Sequence, residues 1–355
     1  MLAPALYAQS CQEATTLNIP GQNLGNNLNG DGGFNLIVNG NFSSTNSTID
    51  GRVAVGGNFV FNGTGTGVGL SVGVNGNTSG SDDNLVVAGD YTNIVLADVR
   101  VKGNMKYGTH SNPSSKLPIH NASEGSNIQE TGLIQFANVK TAFQTQSDNY
   151  ASAGTTSGVA INGDGFVTLT GDGVTTNYNF NVTLASPSYN LSGVSFNNIP
   201  DGSTIVVNIL NAGAISMSPK SGDPAFNMVN SNVVNTLFNF PNATIIGLTD
   251  FTLKGSMLAP RSSLNAQQGK VYGSVYIGEN VNQASGFEVL NGCNPTALPI
   301  KLAEFEASKI ENVASLKWIT SEEVNSDRFE IQKSRDGKQW KAIGSVAAVN
   351  EGVSQ

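Results

Sequence analysis

The sequence predicts a mainly β fold, in which a β-solenoid of stacked coils carries one amphipathic helix and is followed by the start of a β-sandwich. Three observations support this prediction. A short strand pattern that ends in Gly and then Asn or Asp recurs along the first part of the chain. One window has helical instead of strand periodicity. The composition also changes abruptly near Leu298.

The composition is that of a turn-rich β protein. Charged residues make up only 12% of the 355 residues, whereas 41 residues are Gly. The 39% of hydrophobic residues are enough for a core, which argues against disorder. The net charge of −8 argues against nucleic acid or an anionic membrane as a partner, because both require basic patches. The sequence contains no apolar run of the length of about 18 residues that a spanning helix needs.

The repeat consists of an aliphatic residue, any residue, Gly, and then Asn or Asp. Its five copies begin at Val38, Val55, Val74, Val87 and Val101. Each copy reads as a short strand closed by a turn that tolerates unusual backbone conformations. Strands this short cannot bury a face alone, so stacked coils are the natural arrangement.

A second set of strand–Gly units follows later, and a β-sandwich is the alternative interpretation of both sets. The later units are Ile245–Gly247, Leu253–Gly255, Val271–Gly273 and Val275–Gly278. Asn-Gly at 39–40 and 75–76 would suit hairpin turns of a sandwich. The other copies place Gly56, Ala88 or Lys102 where those Asn residues stand, so the hairpin chemistry is not kept and the solenoid is favoured.

A helix is predicted from about Thr131 to Ser152. Its apolar stripe is formed at helical spacing by Phe136, Val139, Phe143 and Tyr150. We expect this stripe to pack against the solenoid and not to bind a partner.

Three parts are predicted along the chain. Residues 1–10 resemble the remainder of a secretory leader, residues 11–297 form the solenoid, and residues 298–355 form a truncated fibronectin-III-like module. The last 58 residues hold 17 of the 44 charged residues and both Trp residues. They offer about four strands where such a sandwich needs about seven. This tail is expected to be mobile or to pair with a neighbouring molecule, which would make self-association a further property.

The two cysteines are predicted to form a structural disulfide. Cys11 and Cys293 lie near the two ends of the low-charge region, and exported proteins commonly carry such bonds. Two unpaired thiols are the alternative. Cys11 as a lipoprotein cysteine fits poorly, because Gln9 does not suit the motif.

Candidate chemistry is sparse, and no catalytic, cofactor-binding or metal-binding residue is predicted. The stretch Gly69–Gly73 matches G-x-S-x-G, but it lies in the Gly-rich repeat and lacks the strand–turn–helix context. The chain's two histidines, His110 and His120, lie in a loop without other ligands at metal spacing. Acidic turns that could suggest calcium do not reproduce a full calcium motif; they are residues 29–32, 82–84, 162–165 and 171–173.

Several of these segments resemble a known family. The stretch Phe34–Asn58, the helix window, the run Gly255–Pro260 and the run Val271–Val275 resemble the choice-of-anchor A domain of bacterial surface proteins. The resemblance covers roughly residues 29–293. It implies an ice-binding-like adhesive fold, a right-handed parallel β-solenoid with a helix along its side, in a protein that is exported and anchored by a C-terminal segment.

The tail resembles another group of modules. The stretch from Leu298 through Trp318 to Gly337 is similar to modules near the C-termini of Bacteroidota proteins. Those proteins commonly carry a type IX secretion sorting domain after the module. The resemblance implies a cell-surface anchor in the C-terminal region.

Together these observations predict a non-enzymatic extracellular adhesin or structural surface protein that binds a glycan or an extracellular protein. A polysaccharide-binding or -degrading β-helix enzyme is the first alternative. It would need clustered carboxylates, and no pairing stands out among the acidic residues before Leu298. Ice binding is the second alternative. It would need Thr at alternate positions, but Thr64-x-Thr66 and Thr168-x-Thr170 are isolated instances.

Overall fold

The structure, a computed structural model, describes residues 34–63, 65–73, 82–120, 124–186, 189–200, 203–219, 228–229, 236–284, 286–290, 301–310, 313–322, 328–333 and 341–347. The chain forms two compact units. The strands between 34 and 290 and one helix belong to the first unit, and the strands between 301 and 347 belong to the second.

The first half of the larger unit runs as follows. Its strands, in chain order, are β1 (Phe34–Val38), β2 (Phe42–Ser44), β3 (Ser47–Ile49), β4 (Arg52–Val55), β5 (Phe59–Phe61), β6 (Val68–Val72), β7 (Asp83–Asn93), β8 (Asp98–Val101), β9 (Asn104–Thr109) and β10 (Asn127–Gln129). The helix α1 (Phe136–Ala153) follows.

The second half of this unit contains the remaining coils. Its strands are β11 (Val159–Ile161), β12 (Phe166–Thr170), β13 (Asn177–Val182), β14 (Asn190–Leu191), β15 (Gly193–Asn197), β16 (Thr204–Ile209), β17 (Gly213–Met217), β18 (Met228–Val229), β19 (Thr236–Asn239), β20 (Ala243–Lys254), β21 (Ser256–Ala259), β22 (Ser263–Tyr272), β23 (Val275–Ile277), β24 (Val281–Gln283) and β25 (Phe287–Leu290).

Successive strands of each coil contribute to three parallel faces. Face A stacks β10, β9, the first half of β7, β4, β1, β23, β21, β19, β16 and β13. Face B stacks β14, β17, the first halves of β20 and β22, β24, β2, β5 and the end of β7. Face C stacks β8, β6, β3, β25 and the second halves of β22 and β20. The predicted parallel β-solenoid is thus confirmed.

The coils are not stacked in chain order. On face A, β1 lies between β4 and β23, so that Leu36 pairs with Val53 on one side and with Val275 on the other. The first and the last coils therefore meet at a seam in the middle of the solenoid. A separate small sheet of β11, β12, β15 and β18 includes the antiparallel pair β11–β12, and its strands alternate along the chain with strands of faces A and B.

The interior is filled by side chains that alternate with outward-facing ones along each strand. On face B, Phe42, Phe59 and Tyr91 occupy equivalent inward positions of three neighbouring coils, and all three are fully buried. Their rings stack with centroids 4.9 and 5.1 Å apart. Such a column gains both apolar burial and favourable ring contacts, and it locks the register of the coils.

The helix α1 packs on face A, as predicted from its apolar stripe. Val139, Phe143 and Ser147 are its buried residues, and the Phe143 ring stacks on the Tyr276 ring of β23. The helix begins at Phe136, which is later than the predicted Thr131. The reason is that Gly132 has a φ of +78° and Gln135 has a non-helical backbone, while Ile134 is already buried against face A.

Within the described residues, the smaller unit contains four strands, the approximate number that its sequence predicts. They are β26 (Lys301–Ile310), β27 (Val313–Glu322), β28 (Arg328–Lys333) and β29 (Lys341–Ala347), paired as two antiparallel two-stranded sheets. The assembly of these pairs into a fibronectin-III-like sandwich remains a prediction. The predicted boundaries at 10/11 and 297/298 lie outside the described residues.

The alternative interpretation of Asn39-Gly40 as a hairpin turn of a sandwich is not borne out, because no hairpin forms there. These residues make the corner between β1 on face A and β2 on face B, and both strands pair only with parallel neighbours. Asn-Gly at 75–76 lies outside the described residues.

Candidate binding face

The three faces differ in what covers their outer side. On face A, the outward residues Ile37, Ala54, Val86, Leu258 and Tyr276 are buried in one apolar cluster with the helix α1. Face B and face C carry no helix among the described elements. Among the described elements, these two faces are therefore open to an extended ligand along the outer side of their strands.

Face B presents one continuous outward row across eight strands. Each member is the direct register partner of the next, in the order Asn190, Ser216, Gly247, Asn265, Asn282, Ser43, Val60 and Thr92. Every member is partly or fully exposed. Neighbouring strands lie about 4.8 Å apart, so this central row extends about 34 Å.

The central row of face B contains no charged side chain, whereas face C does. The corresponding row of face C is Thr252, Lys270, Glu288, Thr48, Ser71 and Arg100. Within it, the Nζ atom of Lys270 lies 2.7 Å from a carboxylate oxygen of Glu288. Face B is thus the uncharged open face, and face C is the charged one.

The Gly-Asn repeat forms one edge of face B. Asn280, Asn41, Asn58 and Asp90 occupy equivalent corners of four neighbouring coils, immediately before the face B strands, and we call them the corner ladder. The Oδ1 atom of Asn280 accepts the backbone N–H of Asn41 at 2.9 Å, that of Asn41 accepts the N–H of Asn58 at 2.8 Å, and that of Asn58 accepts the N–H of Asp90 at 2.9 Å.

The Gly that precedes Asn41, Asn58 and Asp90 makes room for the amide of the neighbouring coil. A Cβ atom on Gly57 would lie 2.4 Å from Oδ1 of Asn41, and one on Gly89 would lie 2.5 Å from Oδ1 of Asn58. Both distances are shorter than real contacts of a Cβ atom. The repeat therefore specifies two things at once, a corner amide and the space for it.

The corner ladder ends at Asp90. Its carboxylate accepts hydrogen bonds from the hydroxyls of Thr92, Thr109 and Ser111 and from the backbone N–H of Ser111. Burial raises the pKa of this carboxyl, but the bonds from Thr109, Ser111 and Thr92 outweigh burial, so the pKa lies below its ordinary value. A carboxylate is thus accommodated at a position where the other coils carry an amide.

The copy of the repeat at Val101 lies at a different corner. Asn104 begins β9 on face A, where its Oδ1 atom accepts the backbone N–H of Ser126 at 3.0 Å. The copy at Val74 lies outside the described residues. The sequence identifies the corner residues correctly, but it does not indicate that three copies and Asn280 stand in one line.

A second set of asparagines was not anticipated from the sequence. Asn239, Asn208 and Asn181 are register partners on the outer side of face A, beneath the last turns of α1. The Nδ2 atoms donate to the backbone oxygens of Ser147, Tyr150 and Ala151 at 2.9, 3.2 and 3.0 Å. The Tyr150 and Ala151 carbonyls lie in the last turn, where a helix leaves its carbonyls unpaired, so Asn208 and Asn181 supply the missing donors.

The residues with candidate chemistry are placed apart from one another. Ser71 lies outward on β6 of face C, 3.4 Å from the hydroxyl of Thr48, and not on a strand–turn–helix elbow. The ring nitrogens of His120 lie 3.1 and 3.0 Å from oxygens of Val101 and Asn127. Among the described residues, no group of three or more His, Cys, Asp or Glu residues could hold a metal ion.

In the acidic turns within the described residues, the Asp or Asn side chains form hydrogen bonds with groups of their own loop or of a neighbouring strand. The Asp172 carboxylate accepts the backbone N–H groups of Val174 and Thr175 and the hydroxyl of Tyr178. The Asn162 side chain closes the turn at 162–165 by accepting two backbone N–H groups. Asp83 is buried and lies 3.3 Å from the Asn104 amide nitrogen.

Several predictions fall wholly or partly outside the described residues. The disulfide between Cys11 and Cys293 and the turn at 29–32 are among them, and so is Thr64 of the Thr64-x-Thr66 pair. Thr168 and Thr170 lie on β12, away from face B. No helix among the described residues is both long enough and apolar enough to cross a membrane.

Comparison with known proteins assigns the larger unit to a family. The sequence model of the family described as "Putative Ice-binding-like adhesive domain" matches residues 27–289, more than half of the chain. The chain therefore belongs to the ice-binding-like adhesive domain family. The adhesive fold that the resemblance implied is confirmed, while the narrower choice-of-anchor A assignment stays a prediction.

Solved structures that match are distant. One is the crystal structure of an ice-binding protein from an Antarctic ascomycete, Antarctomyces psychrotrophicus, with 10% identity, a TM-score of 0.29, and coverage of 73% of this chain and 94% of that chain. Another is the DUF3494 domain of Shewanella frigidimarina ice-binding protein 1, with 11% identity, a TM-score of 0.28 and the same coverage. No curated protein matches the chain.

Proposed function

We propose that this chain is a non-enzymatic adhesive domain of an exported, surface-attached protein and that face B is the surface that binds the ligand. The observation that carries the proposal is the uncovered, uncharged row of eight outward residues. Family membership supports adhesion as the class of function.

The composition of face B favours a ligand that is bound through many modest contacts. Its central row consists of Asn, Ser, Thr, Gly and Val residues, and the Asn, Ser and Thr side chains offer short, uncharged hydrogen-bonding groups on six of its eight strands. A rigid wall loses little conformational freedom on binding, so individually weak contacts can add up along its length. A glycan or a protein surface rich in hydroxyl and amide groups fits this wall.

Ice is a second candidate ligand, and the same geometry favours it. A wall of parallel strands with small outward side chains places its polar groups at regular intervals, as binding to a crystal surface requires. The row is regular in spacing but not in composition. Ice binding would need recurring Thr residues, and Thr92 is the one Thr in this row. Ice binding is therefore the alternative ligand assignment for the same face.

The proposal predicts binding without turnover. The full chain is incubated with a panel of bacterial and plant glycans and matrix proteins, and retention and product release are both measured. An ice-recrystallisation assay on the same sample tests the second candidate. We expect retention on at least one glycan or protein and no release of products. Turnover of any glycan would contradict the non-enzymatic assignment, and inhibition of ice growth without retention would assign the face to ice.

A further inference from the structure

We infer that the amide nitrogens of the corner ladder form a row of hydrogen-bond donors that binds a neutral polysaccharide chain running along the edge of face B. The inference rests on the proposed function and specifies its ligand. It concerns Asn280, Asn41 and Asn58, whose side chains are exposed.

Each of the three amides uses only one of its ends within the described part of the chain. The Oδ1 atoms accept the backbone N–H groups of Asn41, Asn58 and Asp90. Because this bond fixes which end of the amide carries the oxygen, the Nδ2 atom is left as the solvent-exposed end. Each Nδ2 group can donate two hydrogen bonds.

The donors are held in place before a ligand arrives. The carboxamide of Asn41 fits against Gly57, and that of Asn58 fits against Gly89, closely enough that a Cβ atom on either Gly would overlap it. A donor that is already fixed loses less conformational entropy on binding than a free surface side chain does.

The spacing of the donors selects the ligand. Neighbouring coils are about 4.8 Å apart, which is close to the length of one sugar residue in an extended β-1,4-linked glycan. An extended peptide lying along the same line presents carbonyls on one side only at every second residue, or about every 6.8 Å. The spacing of its carbonyls therefore does not match the spacing of the donors. Alternate residues of such a glycan are turned over, but each residue carries hydroxyl or acetamido oxygens on both sides, so a different oxygen of each successive residue can meet each donor.

The charges beside the ladder favour a neutral chain. Lys140, the cation beside Glu279 at this corner, is bound to the Glu279 carboxylate at 2.6 Å. The ladder ends at the Asp90 carboxylate. The lowered pKa keeps this carboxylate ionised, and its negative charge repels an acidic polymer there. Acetamido or hydroxyl oxygens, and not carboxylate or sulfate groups, are the acceptors that match.

Two pairs of substitutions separate the donor role from the structural role. Asn41→Asp with Asn58→Asp keeps the oxygen that accepts the next backbone N–H but removes the donor, and Asp90 shows that this corner accommodates a carboxylate. Asn41→Ser with Asn58→Ser also removes the amide donor without adding charge. Ser263 is a precedent, since its hydroxyl oxygen accepts the backbone N–H of Asn280 at 3.4 Å.

Binding of the full chain to chitohexaose and cellohexaose is measured by calorimetry, with a hexagalacturonate as the acidic control. We expect the wild-type protein to bind a neutral hexamer more tightly than the acidic one. Both double variants should bind about tenfold more weakly, as the loss of two hydrogen bonds implies. Their melting temperatures should stay close to that of the wild type.

Each contrary outcome identifies what has failed. If both double variants bind the neutral hexamer as the wild type does, the ladder is only structural and the inference is wrong. If the wild type binds other ligands on face B but neither neutral hexamer, the inference is wrong while the proposed function stands. If the wild type is retained by nothing in the wider panel, the proposed function itself fails.

Discussion

Asn208→Leu is expected to destabilise the solenoid by about 3 kcal/mol, because it leaves several buried polar groups without partners. The fully buried Asn208 amide donates to Oδ1 of Asn181 at 2.9 Å and accepts from Nδ2 of Asn239 at 2.8 Å. It also lies within donating distance of the Tyr150 carbonyl near the end of α1. Leu has a similar volume, so the loss reports hydrogen bonding and not a cavity.

The stability of Asn208→Leu is measured by urea denaturation against Asn197→Leu as the control. Asn197 lies exposed at the end of β15, and its substitution should change stability by less than about 0.5 kcal/mol. A loss below about 1 kcal/mol at Asn208 would show that this buried amide network does not hold the helix to face A.

Phe59→Ala is expected to cost about 3–5 kcal/mol, the range for removing a fully buried aromatic ring. The Phe59 ring is the middle member of the column between Phe42 and Tyr91, so its removal opens a cavity with ring faces on both sides. This column stands beside the seam where the first and last coils meet.

Val60→Ala supplies the matched control for Phe59→Ala. Val60 is the next residue of β5 but points outward on face B, where it is partly exposed. Thermal and urea unfolding should show a loss of less than about 1 kcal/mol for this variant. Equal losses at positions 59 and 60 would contradict the assignment of inward and outward sides on β5, and with it the composition of the central row.

The repeat in the sequence predicts the coils correctly because its chemistry is local. The corners where the first coils turn from face A to face B need a Gly that admits a neighbouring amide, followed by an Asn or Asp that accepts the next backbone N–H. Gly57-Asn58 and Gly89-Asp90 both satisfy this need. The helix was predictable for a similar reason, since its stripe from Phe136 to Tyr150 depends on residues close in sequence.

The stacking order could not be predicted from the sequence. The pairing of Leu36 with Val275 joins residues about 240 positions apart, and similar repeats offer many alternative neighbours. Loop closure over such a distance leaves no local pattern. The buried Asn208 was also missed, since Asn in a Gly-rich sequence ordinarily indicates a turn and not a helix contact inside a sheet.

The identity of the open face could not be predicted either. Its central row is assembled from Ser43, Val60 and Thr92 of the first coils and from positions 190 to 282 of the last ones. These residues share no motif. What they share is the outward position at one register level, which exists only once the coils are stacked around the seam.

The central claim is that face B binds the ligand, and a matched pair of arginine substitutions tests it most directly. Asn282→Arg places a large charge in the middle of the central row of face B, and Thr48→Arg places the same charge at the equivalent outward position of face C. Affinity for the ligand retained in the panel is measured for both variants by calorimetry. We expect Asn282→Arg to weaken binding at least about tenfold and Thr48→Arg to leave it within about twofold of the wild type. The reverse result, or equal binding by both variants, would contradict the account.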